Sequence, residues 1–259
     1  MTYKKYTGTY SLEVWDNQVS DRMQDEIYNY LMDSEYFANF YDPPFSTYKP
    51  RKNEWQTPRT MPAAVRLPMA WDEVSLQERH PLIHALWKYL SKQILSNNFI
   101  IEGEGEAMFP YMEGVSPLSA PPKPNGLPGR PNCAWRVYGD GREKEGRSRT
   151  KEIHRDSVHL EDESNFTLVY FANKEWHPQY YGETLFHSND DNTNSYNKVA
   201  PNDQKRGYPI GDIENVIAPR PGRVMLFDSR YLHQVKCASM YAPENIMGIS
   251  FRIKKLSFT

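Results

Sequence analysis

From residue 133 to its C-terminus the chain is a succession of short runs: CAWRVYG, TKEIHRDSV, FTLVYFA, ETLFHS, RVMLFD and NIMGISFRI. Each is rich in β-branched or aromatic residues, and Gly, Asn and Asp break them apart. Such punctuation predicts a double-sheet barrel rather than alternating βαβ units. The first half reads differently. YSLEVW at 10–15 alternates like a strand, and a helix is expected after it, with Ser20 as N-cap and Met23, Ile27 and Leu31 on one face. Residues 43–70 are rich in proline and read as loop. A second helix begins with Pro81 in its first turn, and Leu82, Ala85, Leu86, Tyr89, Leu90 and Leu95 form its apolar face. Residues 113–132 carry Pro and Gly without periodicity and read as a loop or linker. The expected fold class is therefore mainly β with supporting helices (α+β), built on a jelly-roll core.

The chain's 259 residues suit one domain, with 1–112 supporting a core over 133–259. Within that core, residues 187–216 are polar and long for a connection, so they are either disordered or a functional lid. With 31 basic and 33 acidic side chains the net charge is -2, and no global field draws the chain to nucleic acid or an anionic membrane. Two cysteines, Cys133 and Cys237, make no disulfide framework and no CxxC zinc site. The N-terminus has no signal-peptide core, and no apolar run nears the ~20 residues that span a bilayer. A cytoplasmic protein is the expectation. Aromatic residues make up 14% of the chain, with tyrosine most frequent, a composition suited to pockets that need both packing area and hydroxyls.

In IHRDSV, His154 and Asp156 lie two residues apart. On a strand both would point to one face, about two rises of ~3.3 Å apart, so an imidazole and a carboxylate could grip one ion. A third ligand is available in LFDSRYLHQV, where His233 follows a strand-like run. Two His and one carboxylate leave the opposite coordination positions open, which is what iron(II) needs to hold a cosubstrate and oxygen together. A structural zinc would want a fourth protein ligand. The bland alternative is a histidine on a surface strand, because HxD pairs also arise by chance. His159 is the nearest rival ligand, but an odd spacing from both partners turns it to the opposite face of a strand. His187 follows a strand and could line a pocket, whereas His80, His84 and His177 read as surface or packing residues.

Four landmarks then come in a recognisable order. RVYGDG precedes the HxD pair. FTLVYFANKEWHPQYYGET holds a strand, an Asn-x-x-Trp turn and a Gly-Glu-Thr run. APRPGRVMLFDSRYLHQV has a Pro-x-Pro-Gly turn, an apolar strand and a distal His. Over about half the chain this order resembles the prolyl 4-hydroxylase type of iron(II) and 2-oxoglutarate-dependent dioxygenase. The resemblance implies a double-stranded β-helix with iron(II) at its mouth, held by His154, Asp156 and His233. It also implies 2-oxoglutarate and O2 as cosubstrates, with ascorbate as an accessory. The activity implied is hydroxylation of an unactivated C–H bond on a prolyl or other amino acid side chain, in a peptide or free.

At one place the sequence departs from that pattern. The family carries an Arg or Lys on its last strand that pairs the distal carboxylate of 2-oxoglutarate, and here the aligned residue is Ile246. Arg252 shares a strand face with residues 246, 248 and 250, but lies about 20 Å further along. It matches a second arginine that alkylation-repair oxygenases keep near the metal-side carboxylate. A buried dicarboxylate needs a cation. Arg136 is the candidate replacement, because its fork can meet a carboxylate with two hydrogen bonds. Tyr170 and Tyr138 match family tyrosines of the cosubstrate pocket. Retention of the carboxylate ligand favours hydroxylation over halogenation.

The expected partner is a peptide, a protein or a small amino-acid-like substrate. Nucleic acid is not favoured: Arg142, Lys144, Arg147, Arg149 and Lys151 are interleaved with Glu143, Glu145 and Glu152, as on a solvated loop. The alternatives are a nucleic-acid or small-metabolite oxygenase of the same superfamily, and a non-catalytic jelly-roll binding protein.

Overall fold

A computed structural model describes residues 2–34, 73–101, 153, 155–157, 163–188, 211–236 and 246–256, together with the strand backbones 36–38, 46–48, 64–66 and 108–113. The alternating run at 10–15 is strand β2 (Leu12–Asp16), which pairs antiparallel with β1 (Thr2–Tyr6). Ser20 caps helix α1 (Asp21–Asp33) as the sequence predicts, its side chain accepting from the Met23 amide. Three short strands follow, β3 (Tyr36–Ala38), β4 (Ser46–Tyr48) and β5 (Ala64–Arg66). The last two lie in the proline-rich stretch expected to be loop. Helices α2 (Glu73–Arg79) and α3 (Pro81–Gln93) come next, with Pro81 opening α3.

The buried face of α3 is Ile83, Leu86, Trp87 and Leu90, with Leu82 and Tyr89 only partly buried and Ala85 exposed. The predicted stripe was thus rotated by about one position. Trp87 lies on the buried side, its large ring 5.5 Å from that of Phe251.

Strands β6 (Phe99–Ile101) and β7 (Met108–Glu113) lead to the C-terminal half. There β8 (Asn165–Phe171), β9 (Thr184–His187), β11 (Val224–Asp228) and β13 (Ile246–Lys255) occupy four of the predicted runs. Two strands were not foreseen. β10 (Ile213–Ile217) lies at the end of the 187–216 stretch, and β12 (Leu232–Val235) contains His233 itself. Of that stretch, residues 189–210 lie outside the described residues, as do the CAWRVYG run and the 114–132 loop. TKEIHRDSV is not a strand where it is described. Asp156 N and Ser157 N both donate to Ser229 O at 2.9 Å, a pattern that bends the backbone onto one carbonyl instead of a ladder.

Among the described residues the strands form two sheets. The larger runs β1-β2-β11-β8-β13-β7-β5-β3-β4, with β6 also on β13, and the smaller runs β10-β9-β12. From β8 onward the chain passes from the large sheet to the small (β9, β10), back to the large (β11), then small (β12), then large (β13). Its pairings β8/β11, β9/β10, β9/β12 and β8/β13 are all antiparallel. That winding is a jelly roll, and with the supporting helices the fold is α+β. No helix among the described residues is long and apolar enough to cross a membrane.

Period-two alternation gives the large sheet two cores. Leu168, Tyr170, Leu226, Ile249 and Phe251 face α1 and α3, against Ile27, Leu31, Leu86, Trp87 and Leu90. Val169, Phe171, Met225, Phe227 and Ile246 face the small sheet and meet Phe186 and Tyr231. The end of β2 is tied to the turn before β11 by Arg223, whose Nε and Nη2 donate to the two oxygens of Asp16 at 2.7 and 2.8 Å.

Truncating Trp87→Ala is expected to cost about 3–5 kcal/mol, read from urea unfolding followed by circular dichroism. The hydrogen bonds from Arg223 hold the Asp16 carboxyl below its ordinary value, against an opposing push from burial. Its stabilisation is therefore present above the unfolded pKa of about 3.9 and lost as pH falls through the lower folded value. The Tm difference between wild type and Asp16→Asn should shrink as pH drops below about 4, and a constant difference would contradict the assignment.

Candidate metal centre

β12 delivers His233 to the interior, opposite Phe186 of β9 in register. The imidazole is buried, with the Phe227 ring 4.9 Å away and the Phe186 ring 5.9 Å away. Its Nδ1 lies 2.9 Å from the Tyr231 carbonyl oxygen, which can only accept. Nδ1 therefore carries the hydrogen in the neutral ring, and Nε2 carries the lone pair. That is the second-sphere bond by which proteins orient a ligating histidine.

His233 Nε2 stands 3.7 Å from Asp156 Oδ2. This exceeds a hydrogen bond, yet two bonds of about 2.1 Å to a shared ion span it. Asp156 itself is held from several sides. Thr167 Oγ1 donates to Oδ2 at 2.8 Å, and Arg252 bonds both carboxylate oxygens. Thr167 has one hydrogen and gives it to Asp156, so it accepts from Arg252 Nη1 and from Ser229 Oγ, the latter at 3.0 Å. The Asp156 side chain is only 4% exposed, and a carboxylate so buried needs that charge and those donors.

Register explains how these groups meet. Thr167 of β8 is the cross-strand partner of both Phe227 on β11 and Arg252 on β13. All three point inward, so the expectation that residues 246, 248, 250 and 252 share an inward face agrees with the pairing. Arg252, however, is engaged with the Asp156 carboxylate and lies far along β13 from Ile246.

Other expected site residues are placed elsewhere. His154, Arg136 and Tyr138 lie outside the described residues, as does His159. Tyr170 is a correction. It pairs with Ile249 and Val224 on the helix-facing side of β8, the opposite face from Thr167, and so cannot line the interior. A one-residue offset on a strand reverses the face, and the inward neighbour is Phe171. Burial pushes the Tyr170 hydroxyl pKa up, and that hydroxyl has no hydrogen-bond partner among the described residues. His187 pairs with Leu232, on the face of β9 away from Phe186 and His233, so it does not line the centre. His80 meets the Tyr30 hydroxyl at 2.7 Å and His84 meets Glu73 at 3.2 Å, both structural contacts. Thr167 and Ser229 were missed by sequence reasoning, although the alternation of FTLVYF already sets Thr167 on the face of Val169.

Ile246 lies in the interior cluster beside Gly182, where a Cβ would come within 2.4 Å of the Ile246 Cδ1. Gly182 has φ +87, in the left-handed region, and begins the Gly-Glu-Thr run. The Asn-x-x-Trp turn before it is held by Asn173 Oδ1, accepting from Met247 N at 2.8 Å, and by Trp176 Nε1, donating to Tyr181 O at 2.9 Å. The motif thus clamps β8 and β9 onto the start of β13. Phe171, Ile246 and Phe186 belong to the apolar cluster at this end, and the buried Thr184 lies on the same face of β9 as Phe186.

Asp156 and His233 fit a divalent ion: the imidazole Nε2 and a restrained carboxylate face each other across 3.7 Å of buried interior. No protein-family model matches the sequence, and no curated protein matches it closely enough to count as a relative. Similar solved structures include a prolyl hydroxylase from Trichoplax adhaerens, in complex with a peptide fragment of hypoxia inducible factor. It is 14% identical, with 94% of this chain and 83% of that chain covered and a TM-score of 0.45. A Pseudomonas putida prolyl-4-hydroxylase is 10% identical over 96% of this chain and 95% of that chain, at a TM-score of 0.42. HygX from Streptomyces hygroscopicus, with nickel and 2-oxoglutarate bound, is 11% identical over 97% and 85%, at 0.47. Prolyl hydroxylases and other iron and 2-oxoglutarate oxygenases are thus the proteins it is similar to in fold.

Asp156→Ala is expected to abolish saturable Fe(II) binding in anaerobic titration while the far-ultraviolet circular dichroism persists. Thr167→Val, which removes a donor to the carboxylate, should weaken binding by about 10–100-fold. Unchanged affinity in Asp156→Ala would refute its role as a ligand.

Proposed function

We propose that the chain is an iron(II) and 2-oxoglutarate-dependent dioxygenase that hydroxylates a C–H bond, on a prolyl or other amino acid side chain in a peptide or free. The observation that carries this reading is the His233 imidazole. Its Nδ1 is committed to the Tyr231 carbonyl, and its Nε2 faces the Asp156 carboxylate across 3.7 Å of buried interior. The third ligand in this reading is His154, two residues before Asp156. Motif order in the C-terminal half, which resembles the prolyl 4-hydroxylase type, supports the choice of metal, cosubstrate and substrate class.

When bound, ferrous iron and 2-oxoglutarate supply the chemistry: oxidative decarboxylation of the oxoacid by O2, coupled to insertion of one oxygen atom into a C–H bond. This chain's residues do the rest. Asp156 and His233 bind and orient the ion. Arg252 and Thr167 fix the carboxylate so that its oxygens keep one direction through turnover. Phe186 and Phe227 exclude water around the imidazole. Arg136 and Tyr138 are proposed for the cosubstrate, Arg136 to pair the distal carboxylate. Among the described residues the wall at Ile246 and Phe171 supplies it neither a cation nor a hydroxyl.

That apolar wall is also the observation favouring a second reading, a non-catalytic jelly-roll binding protein. Anaerobic addition of Fe(II) and then 2-oxoglutarate separates the two. A visible charge-transfer band, with succinate formed on admitting oxygen, is the expected result. Metal binding without band or succinate would favour the binding protein. Arg136→Met should raise the KM for 2-oxoglutarate with little change in Fe(II) affinity. Screening peptides, free amino acids and nucleotides for a mass gain of one oxygen then identifies the substrate.

A further inference from the structure

We infer that Tyr231, Glu214 and the turn at Thr7–Thr9 form a latch that sets the orientation of His233, acting as positioning residues one step behind the metal centre. The inference rests on His233 being a metal ligand, as proposed above.

The latch runs from the N-terminal hairpin to the imidazole in six hydrogen bonds. Thr9 donates to Glu214 twice, from its amide to Oε2 at 2.9 Å and from its hydroxyl to Oε1 at 2.7 Å. The Tyr231 hydroxyl donates to the same Glu214 Oε2. Asn215 Nδ2 donates to the Tyr231 hydroxyl at 3.2 Å and to Thr7 O at 3.0 Å, closing the ring of bonds. The Tyr231 carbonyl then receives His233 Nδ1. Glu214 and Asn215 come from β10, Thr7 and Thr9 from the β1–β2 turn, and Tyr231 from the turn before β12. Three segments distant in sequence thus converge on one hydroxyl.

The geometry shows why a phenol stands here. Tyr231 is fully buried, with its ring 4.9 Å from Phe186 and 5.6 Å from Tyr10. Packing alone would be served by Phe. The hydroxyl tethers the far end of the side chain, while the Tyr231 amide donates to Asp228 O at 2.9 Å. Fixed at both ends, residue 231 can present its carbonyl in one direction only, and the imidazole that donates to it inherits that direction. The turn closes on the hydroxyl to backbone contact: a Cβ at Gly8 would stand 2.1 Å from Tyr231 Oη and 2.8 Å from Glu214 Oε2. Glu214 is well suited as the anchor. Burial pushes its pKa up, but the bonds from Tyr231 and Thr9 outweigh this and keep it lowered, hence ionised at neutral pH.

The experiment uses the full chain with 15N-labelled histidine, Ni(II) as the oxygen-stable probe, and both NMR and metal titration. Tyr231→Phe and Glu214→Leu should each weaken Ni(II) binding by about 10-fold, and the His233 Nδ1 proton should exchange faster than in wild type. Glu214→Gln, whose amide oxygen can still accept from the phenol, should stay within about 3-fold of wild type. Ile27→Val, a mild truncation under α1, controls for lost stability and should leave both readouts unchanged. The latch is overturned if Tyr231→Phe keeps wild-type affinity and proton exchange, or if Ile27→Val weakens binding as much for an equal loss of Tm. If His233→Ala binds Ni(II) like wild type, the ligand assignment fails instead. The proton exchange of residue 233 still judges the latch in that case, because it needs no metal.

Discussion

β8 and β13 lie at the boundary of two cores, and their apolar residues are divided between the two. Their odd and even positions pack either under α1 and α3 or into the space between the sheets. A strand in that situation cannot slip, because a one-residue shift would move an apolar row to the wrong side and break both cores at once. This fixed register carries Thr167 and Arg252 inward as cross-strand partners and holds them against Asp156. The helices therefore support the site at a distance. By burying Phe251, Ile249 and Leu168 they fix which residues of the same strands are left to face the interior.

The second constraint is electrostatic. A carboxylate buried as deeply as that of Asp156 is costly unless cations and donors surround it. Arg252 and Thr167 surround it from two strands, while the Ser229 carbonyl holds the backbone by accepting from the Asp156 amide. The imidazole of His233 is treated in the same way, held by a carbonyl and by aromatic rings. Both groups are restrained before any ligand arrives, which reduces the ordering cost of binding and narrows the geometry that can be bound.

The apolar end of the interior is the feature that sets this chain apart from the pattern it resembles. Ile246 stands where the resemblance leads one to expect a cation, and Phe171 faces the interior where Tyr170 does not. Their packing against Gly182 and Trp176 makes them part of the clamp that joins β8, β9 and β13.

Much of this was legible in the residues themselves. The turn chemistry of Asn173, Gly182 and the Pro-x-Pro-Gly segment, and the β-branched runs between them, announced the strands β8, β9, β11 and β13, because those signals are local. Ser20 and Pro81 likewise marked helix starts through capping and a fixed φ. HxD spacing and a distal histidine singled out Asp156 and His233 as a chemical set. Only the tertiary structure decided which face each strand residue takes, and so excluded Tyr170 and His187 from the interior while admitting Thr167 and Arg252. Alternation in a sequence gives two faces without saying which is inside, and that is settled by what packs on each side. The network around Tyr231 was invisible for a related reason: its bonds from the Thr7–Thr9 turn join residues about two hundred positions apart, and no local pattern encodes a contact that only the closed barrel creates.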